Sequence, residues 1–397
     1  MEKKERGRYG EILSASLKLG LTSFGGPAAH LGYFRDEYVK KRKWLDDRAY
    51  ADLVALCQFL PGPASSQVGI GVGLIRGGVG GAMLSWFGFT MPSVIILMLF
   101  AYLVAGDVPF DTGWIRGLKI VAVAIILHAL IGMGKNLTPD APRIALAVLA
   151  GAGVLLVPTA WGQIGVIVLA GLIGYILYRN RQDGNGGEDA TIPMPIGKKA
   201  GALAWALFFG LLALLPVISR AADHILVSIT DIFYRVGSIV FGGGHVVLPM
   251  LEREVVPQGY MDAETFIAGY GAAQAVPGPL FTLSAYIGMI MDSVPGALFA
   301  VVAMFLPSFL LVIGTLPFWS ILRKKTWLRA ALTGVNAAVV GILAAALINP
   351  VIPSSIFSVW DVGVAALCFW LLQFRKTPPW VVVVVAGVLG ALLHAFL

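Results

Sequence analysis

Charge is scarce in this chain. Only 13% of its 397 residues are charged, 58% are hydrophobic, and the mean hydropathy is +0.83. Soluble globular proteins carry roughly 25% charged residues, and about half that amount cannot cover a surface exposed to water. Cysteine is nearly missing. Cys57 and Cys368 form no CxxC and have no close His partner, which excludes a disulfide framework and the usual zinc spacings. No metal and no cofactor is expected. No GxxxxGK[ST] loop occurs and no long polar segment could hold one, so ATP-driven transport by this chain alone is not expected. The charged stretch 1–9 is not followed by an apolar core with a small-residue cleavage site, so no signal peptide is read. HExxH, paired carboxylates and Ser/Lys or Ser/His arrangements are lacking in the apolar runs, which counts against a membrane-embedded enzyme. The net charge of +7 comes without any basic stretch interleaved with aromatics, so no nucleic acid is expected. Lys and Arg instead read as cytoplasmic anchors of membrane spans.

Long apolar runs are what the chain has. Residues 118–133, 164–178, 200–218, 297–316, 335–348 and 380–396 approach or reach the ~20 residues that cross a bilayer. The expected class is an all-α polytopic membrane protein.

The chain also repeats itself. Phe24-Gly25-Gly26 returns as Phe241-Gly242-Gly243, and Gln58-x-x-Pro61-Gly62-Pro63 returns as Gln274-x-x-Pro277-Gly278-Pro279. Pro92-Ser93 matches Pro307-Ser308, Gly81-Ala82 matches Gly296-Ala297, and Asp46 matches Asp262. Five matches in order, at offsets of 215 to 217 residues, indicate a duplication. Residues 179–199 are polar and Gly-rich and read as a linker on the cytoplasmic side. The expected organisation is a first transporter repeat over 1–178, a linker over 179–199, and a connecting helix plus second repeat over 200–397.

Loop charges give the orientation of each repeat. Loop 35–48 carries Arg35, Lys40, Lys41, Arg42, Lys43 and Arg48, whereas its counterpart 252–264 has Arg253 alone against four acids. The next pair reverses: 106–113 carries only Asp107 and Asp111, while 320–329 carries Arg323, Lys324, Lys325 and Arg329. By the positive-inside rule the repeats have opposite topology. The stretch 50–76, interrupted at Pro61-Gly62-Pro63, then has to go in and come back before 80–103 crosses. Stretch 12–33, interrupted at Gly25-Gly26-Pro27, makes a similar return.

Two prolines around a glycine stop one helix and start another, because Pro lacks an N–H and restricts the residue before it. The new helix starts with unpaired N–H groups and a positive partial charge. Inside a membrane such irregular backbone survives only where protein or a water-filled cavity covers it. Breaks at matched positions of inverted repeats point to a transporter's binding site. Four occur here, at Phe24–Pro27, Pro61–Pro63, Phe241–Gly244 and Pro277–Pro279. Helix N-termini and Gly-rich turns favour oxyanions. Ser65, Ser66 and Thr282 lie just beyond the prolines, and Gln58 and Gln274 just before them; they read either as donors to an anion or as caps and bridges between helices.

Ionisable groups in apolar runs are few. Lys119 is either an anion ligand or a side chain reaching for the interface. Arg76 reads as a cytoplasmic anchor before a ligand. His30 and His245 follow the two Phe-Gly-Gly breaks and are either donors or packing residues. No Asp or Glu falls inside a clear span, which favours a negatively charged solute over proton or sodium coupling.

These motifs in this order resemble the chromate ion transporter family in its long, two-domain form, over nearly the whole chain. The resemblance implies a bacterial or archaeal cytoplasmic-membrane protein that exports chromate and confers resistance, with sulfate as the natural analogue. The motif residues here are Phe24, Gly25, Gly26, Pro27, Gln58, Pro61, Gly62, Pro63 and Arg76, with Phe241, Gly242, Gly243, Gln274, Pro277, Gly278 and Pro279. The second copy departs from the first in having Gly244 where Pro27 stands. Chromate and the lipid bilayer are the expected partners, and a homodimer stays open. A sulfate or other small-anion carrier is the alternative within transport; a membrane-embedded enzyme ranks below it.

Overall fold

The computed structural model describes residues 2–24, 27–105, 113–179, 196–222, 224–241, 246–322 and 325–396. Every regular element among the described residues is helical. The first half comprises α1 (Glu2–Thr22), α2 (Pro27–Phe34) with a π-helical extension, α3 (Asp47–Phe59), α4 (Ala64–Ala105), α5 (Gly113–Leu137), α6 (Ala141–Leu156) and α7 (Ala160–Tyr178). After α8 (Lys198–Ala221) come α9 (Ile225–Ile239), α10 (Val247–Val255), α11 (Ala263–Ala275), α12 (Leu283–Thr315), the single turn α13 (Trp319–Leu322), α14 (Thr326–Ala346), α15 (Val359–Gln373) and α16 (Pro379–Phe396). Runs centred on α4, α5, α8, α12 and α14 are long and apolar enough to span a membrane, and α6, α7, α15 and α16 hold shorter apolar segments. Large apolar side chains stay exposed along their outer faces, Leu99, Leu156, Phe209 and Val359 among them. In water such a surface would drive aggregation; in a bilayer it is the lipid contact.

Helix α4 is not one rod. A straight helix of its 42 residues would be about 63 Å long, twice a bilayer's hydrocarbon core. The chain reverses at Gly77 and Gly78, whose φ values are −139° and +62°. Arms 64–76 and 79–105 then lie antiparallel: the backbones of Gly73 and Gly81 touch, and the Ser85 hydroxyl donates to the Gly69 carbonyl at 2.8 Å. Helix α12 does the same at Asp292 and Ser293, with Gly288 against Gly296. The reversal of α4 falls after the stretch 50–76, at the join to 80–103, and not at the Pro61-Gly62-Pro63 break within it. Two glycines facing each other let the backbones meet, as in membrane helix pairs generally.

Other features also recur in both halves. Asp46 caps α3 by accepting from the Ala49 N–H at 2.7 Å, and Asp262 caps α11 by accepting from the Thr265 N–H at 2.8 Å. Gly20 of α1 packs on the backbone of Gly88 and Phe89, and Gly237 of α9 on that of Met304. The ammonium of Lys18 reaches Glu37 at 2.7 Å, and at the corresponding positions the guanidinium of Arg235 reaches Glu254. Each pair ties the helix before a Phe-Gly-Gly break to the chain that follows it.

The basic loop is anchored. The guanidinium groups of Arg42 and Arg76 lie 5.2 and 5.1 Å from the Trp44 ring centre, and Arg76 also donates to Glu11 at 3.0 Å. Arg76 therefore fastens the α4 reversal to α1 and the loop, in keeping with an anchor. Residues 180–195 of the linker, residues 106–112, and Arg323 and Lys324 lie outside the described residues, so their charges bear on topology from the sequence alone.

Candidate anion site at the two broken helices

Each Pro-Gly-Pro break is held by the other half of the chain. The N–H of Gly62 donates to the carbonyl of Val240 at 2.6 Å, and the N–H of Gly278 donates to the carbonyl of Ser23 at 2.9 Å. Ser23 and Val240 occupy corresponding positions, one residue ahead of Phe24 and Phe241. The contacts are thus reciprocal: the proline break of one half hooks the residue just ahead of Phe24 or Phe241 in the other. Both glycines have a positive φ, +112° at Gly62 and +103° at Gly278. Side chains rarely adopt that backbone, and there is no room for one. A Cβ on Gly62 would lie 2.8 Å from the Ser308 hydroxyl, and one on Gly278 2.6 Å from the Ser93 hydroxyl. Ser93 and Ser308 are the matched Pro-Ser serines, again each from the opposite half.

Polar groups gather at these clasps. Around the second break, the His30 ring shares a hydrogen bond with Ser65 through Nδ1 at 3.3 Å and meets Phe89 edge-on at 5.5 Å between ring centres. Ser93 donates to the Thr90 carbonyl. Around the first, Gln67 donates to the Pro61 carbonyl at 2.6 Å and reaches Ser308 at 3.5 Å. Several buried polar atoms have no partner among the described residues: Ser23 Oγ, His30 Nε2, Ser66 Oγ, Thr90 Oγ1, Gln274 Nε2 and Ser284 Oγ. Buried polar groups are normally satisfied, so this many orphans around two helix starts mark a place where something else supplies the partner.

The residues predicted from sequence fall into three groups. Pro61, Gly62, Pro63, Ser65, Ser66, His30, Gln274, Pro277, Gly278 and Pro279 come together at the clasps, with Pro27 opening α2. Thr282 also lies there, but its hydroxyl already donates to the Pro279 carbonyl at 2.8 Å, so it acts as a local cap. Gln58 is exposed, Phe24 packs its ring on Trp380, and Phe241 is half-buried. Lys119 lies elsewhere, paired with Glu264 at 2.7 Å. Gly25, Gly26, Gly242, Gly243, Gly244 and His245 lie outside the described residues. Sequence reasoning missed Ser23, Thr90, Ser93 and Ser308 as parts of the site. The recurrence of Pro-Ser in both copies was the signal that could have singled out Ser93 and Ser308.

It also missed buried carboxylates. Glu37, Asp231 and Asp361 are buried although no clear apolar run contains an acid. Each is neutralised locally. Arg235 takes Asp231 at 2.9 Å besides Glu254, Arg116 grips Asp361 through Nε at 2.9 Å and Nη2 at 3.0 Å, and Glu37 holds Lys18 and Arg42. A cation supplied from another turn or helix explains why these acids left no mark on local hydropathy.

A second concave feature lies at the N-terminal ends of α5 and α11, a cavity of about 780 Å³ lined by Arg116, Lys119, Asp262, Glu264, Thr265 and Phe357 among others.

Comparison with known proteins adds to this geometry. A protein of Methanocaldococcus jannaschii described as an uncharacterized transporter is 26% identical over 99% of this chain and 96% of its own. A chromate transport protein of Cupriavidus metallidurans is 25% identical, covering 98% of this chain and 94% of its own. A probable chromate transport protein of Synechococcus elongatus is 24% identical over 95% and 93%. No solved structure matches. The sequence model of the family described as chromate transporter matches residues 10–175 and again 227–391, two stretches that begin 217 positions apart. Together with the apolar helices, these matches identify a multi-pass protein of the cytoplasmic membrane. The chain is a transporter and belongs to the chromate transporter family.

Proposed function

We propose that this chain exports the oxyanion chromate from the cytoplasm, with sulfate as its close analogue, and that the two reciprocal clasps form its binding site. The observation that carries the reading is the pair of hydrogen bonds from Gly62 to Val240 and from Gly278 to Ser23. They join each helix start to the residue ahead of the opposite Phe24 or Phe241, where buried hydroxyl, imidazole and amide atoms have no partner among the described residues. Helix N-termini with free N–H groups attract anions, and hydroxyl and amide donors suit the four oxygens of a tetrahedral one. Relatives named as chromate transport proteins make chromate the first substrate to test.

The halves are read as oppositely oriented, with loop 35–48 inside and loop 252–264 outside. Long-range contacts support this. Arg253 donates to the Val154 carbonyl at the end of α6, and Trp319 beside loop 320–329 donates to Asp52 beside loop 35–48. Each contact joins loops assigned to the same face. The buried acids are locked in ion pairs, so the membrane potential is the simplest driving force. Moving one charge through 100 mV is worth about 2.3 kcal/mol, and a dianion leaving an inside-negative cell gains roughly twice that.

The test is labelled chromate uptake into everted membrane vesicles, with and without an imposed inside-positive potential and with sulfate as competitor. The expected result is potential-dependent accumulation that sulfate suppresses. No accumulation above empty vesicles, from protein shown to be folded, would remove chromate as a substrate.

A further inference from the structure

The cavity beside α5 and α11 holds a cation whose partner is easily dislodged. Lys119 Nζ donates to Glu264 Oε2 at 2.7 Å, and the two side chains differ sharply in exposure, 10% for Lys119 against 58% for Glu264. Water can receive the Glu264 carboxylate if the pair opens, whereas the Lys119 ammonium would stay behind in a largely buried position. Leaving it there unpaired is costly unless another anion replaces the carboxylate. The Phe357 ring also attracts the ammonium, its centre 5.2 Å from Nζ. Arg116 behaves differently. Its Nε and Nη2 are committed to Asp361, which is fully buried, while Nη1 has no hydrogen-bond partner among the described residues. The cavity therefore offers one anchored guanidinium whose Nη1 edge is unpaired among the described residues, and one ammonium behind a removable lid.

The equivalent positions of the other repeat are in contact with each other. Val104 and Ala268 line the cavity. One repeat away their positions are occupied by Trp319 and Asp52, and there the Trp319 indole N–H donates to Asp52 at 3.0 Å while its ring packs on Phe59. Where Val104 and Ala268 line open space, Trp319 and Asp52 bond to each other.

We infer that the cavity is a vestibule for a tetrahedral oxyanion, in which the anion takes the place of Glu264 on Lys119 and is steadied by the Nη1 edge of Arg116. This rests on the oxyanion reading above and extends it: Glu264 is a competitor for the substrate's place and so sets how tightly the vestibule holds it. The carboxylate closes the ammonium off when no anion is present and yields to a dianion, whose second charge gives it the advantage.

The test is protection from chemical labelling in whole cells and in purified full-length protein. A cysteine placed by Val104→Cys reports on the vestibule, because Cys57 and Cys368 are both buried and give little background. A membrane-impermeant maleimide labels it, and inorganic sulfate is the probe. Sulfate is expected to slow labelling. Glu264→Gln should lower the sulfate needed by roughly tenfold, since a competing charged hydrogen bond is removed. Lys119→Gln should abolish protection and Lys119→Arg should keep it. Equal protection in Glu264→Gln and Lys119→Gln protein, or none in any variant, would overturn the inference. Chromate uptake by vesicles of the same strains separates the two claims. Transport without protection removes the vestibule and leaves the oxyanion exporter standing; neither transport nor protection removes both. Size-exclusion profiles of each variant show that the fold is kept.

Discussion

The two halves of this chain are most alike at their helix breaks and least alike at their outer ends. Gly62 and Gly278 share a left-handed backbone, the same hydrogen bond to the opposite half, and the same serine pressed against them. At the ends, Val104 and Ala268 line a cavity, whereas Trp319 and Asp52 bond to each other. Duplication therefore fixed the centre, where each half depends on the other for its contacts, and left the rims free to diverge. A substitution at one clasp must be tolerated by the half that hooks it. A substitution at one rim meets no such demand.

The sharpest way to break the likeness is to add one methyl group to either clasp. Gly62→Ala and Gly278→Ala each meet an unfavourable φ, costing about 1–3 kcal/mol, and each clashes with a serine hydroxyl from the other half. Both variants should lose at least ~100-fold of chromate uptake, a factor worth about 2.7 kcal/mol, and they should lose it equally. Unequal losses in well-folded protein would show that one break alone carries the ion.

The matched ion pairs should respond unequally. Arg235→Met leaves Asp231 and Glu254 together in a buried place without their cation, and a loss of about 3–5 kcal/mol is expected. Lys18→Met removes a half-exposed partner and leaves Glu37 with Arg42, so a loss under about 1 kcal/mol is expected. Thermal unfolding in detergent checks both. Trp319→Phe keeps an aromatic ring and removes the donor to Asp52, which should cost about 1.5–3 kcal/mol.

The smallest contrast lies at the helix caps. Asp140 caps α6, and in the second half Ser358 caps α15 within a capping box. Hydrogen bonds from the Arg143 side chain hold the Asp140 carboxyl well below the usual range, at about 2. Its pairing therefore stabilises the fold above the ordinary carboxylate pKa and is lost as pH falls through about 2. Asp140→Asn should flatten that acid limb by under about 1 kcal/mol, because the group stays partly exposed to solvent that screens the pair. Ser358 titrates nowhere in this range, so Ser358→Ala should lower stability alike at pH 7 and pH 3.

Much of this was legible in the sequence, because proline and glycine act locally. Pro61-Gly62-Pro63 announces a broken helix wherever it stands, and its second copy says that the break matters. The reversal of α4 at Gly77 and Gly78 follows once the return of 50–76 has to fit a bilayer. What could not be read was which residues meet. The bond from Gly62 to Val240 joins positions far apart in the chain, and no local pattern encodes it. The buried acids were missed because their cations come from another turn or helix: Arg235 serves Asp231 one turn away, and Arg116 serves Asp361 from the other half. Lys119 stood out as a lone cation in an apolar run, yet Glu264, which neutralises it, lies at the start of a helix in the other half.

The central claim is that the crossed clasps bind the ion. The most direct test is equilibrium binding of labelled sulfate to purified full-length protein, wild type against Gly278→Ala, with chromate as competitor and the fold checked by size exclusion and circular dichroism. Saturable binding displaced by chromate in the wild type, and absent from folded Gly278→Ala protein, is the predicted result. Unchanged binding in the variant would contradict it and place the ion elsewhere in the chain.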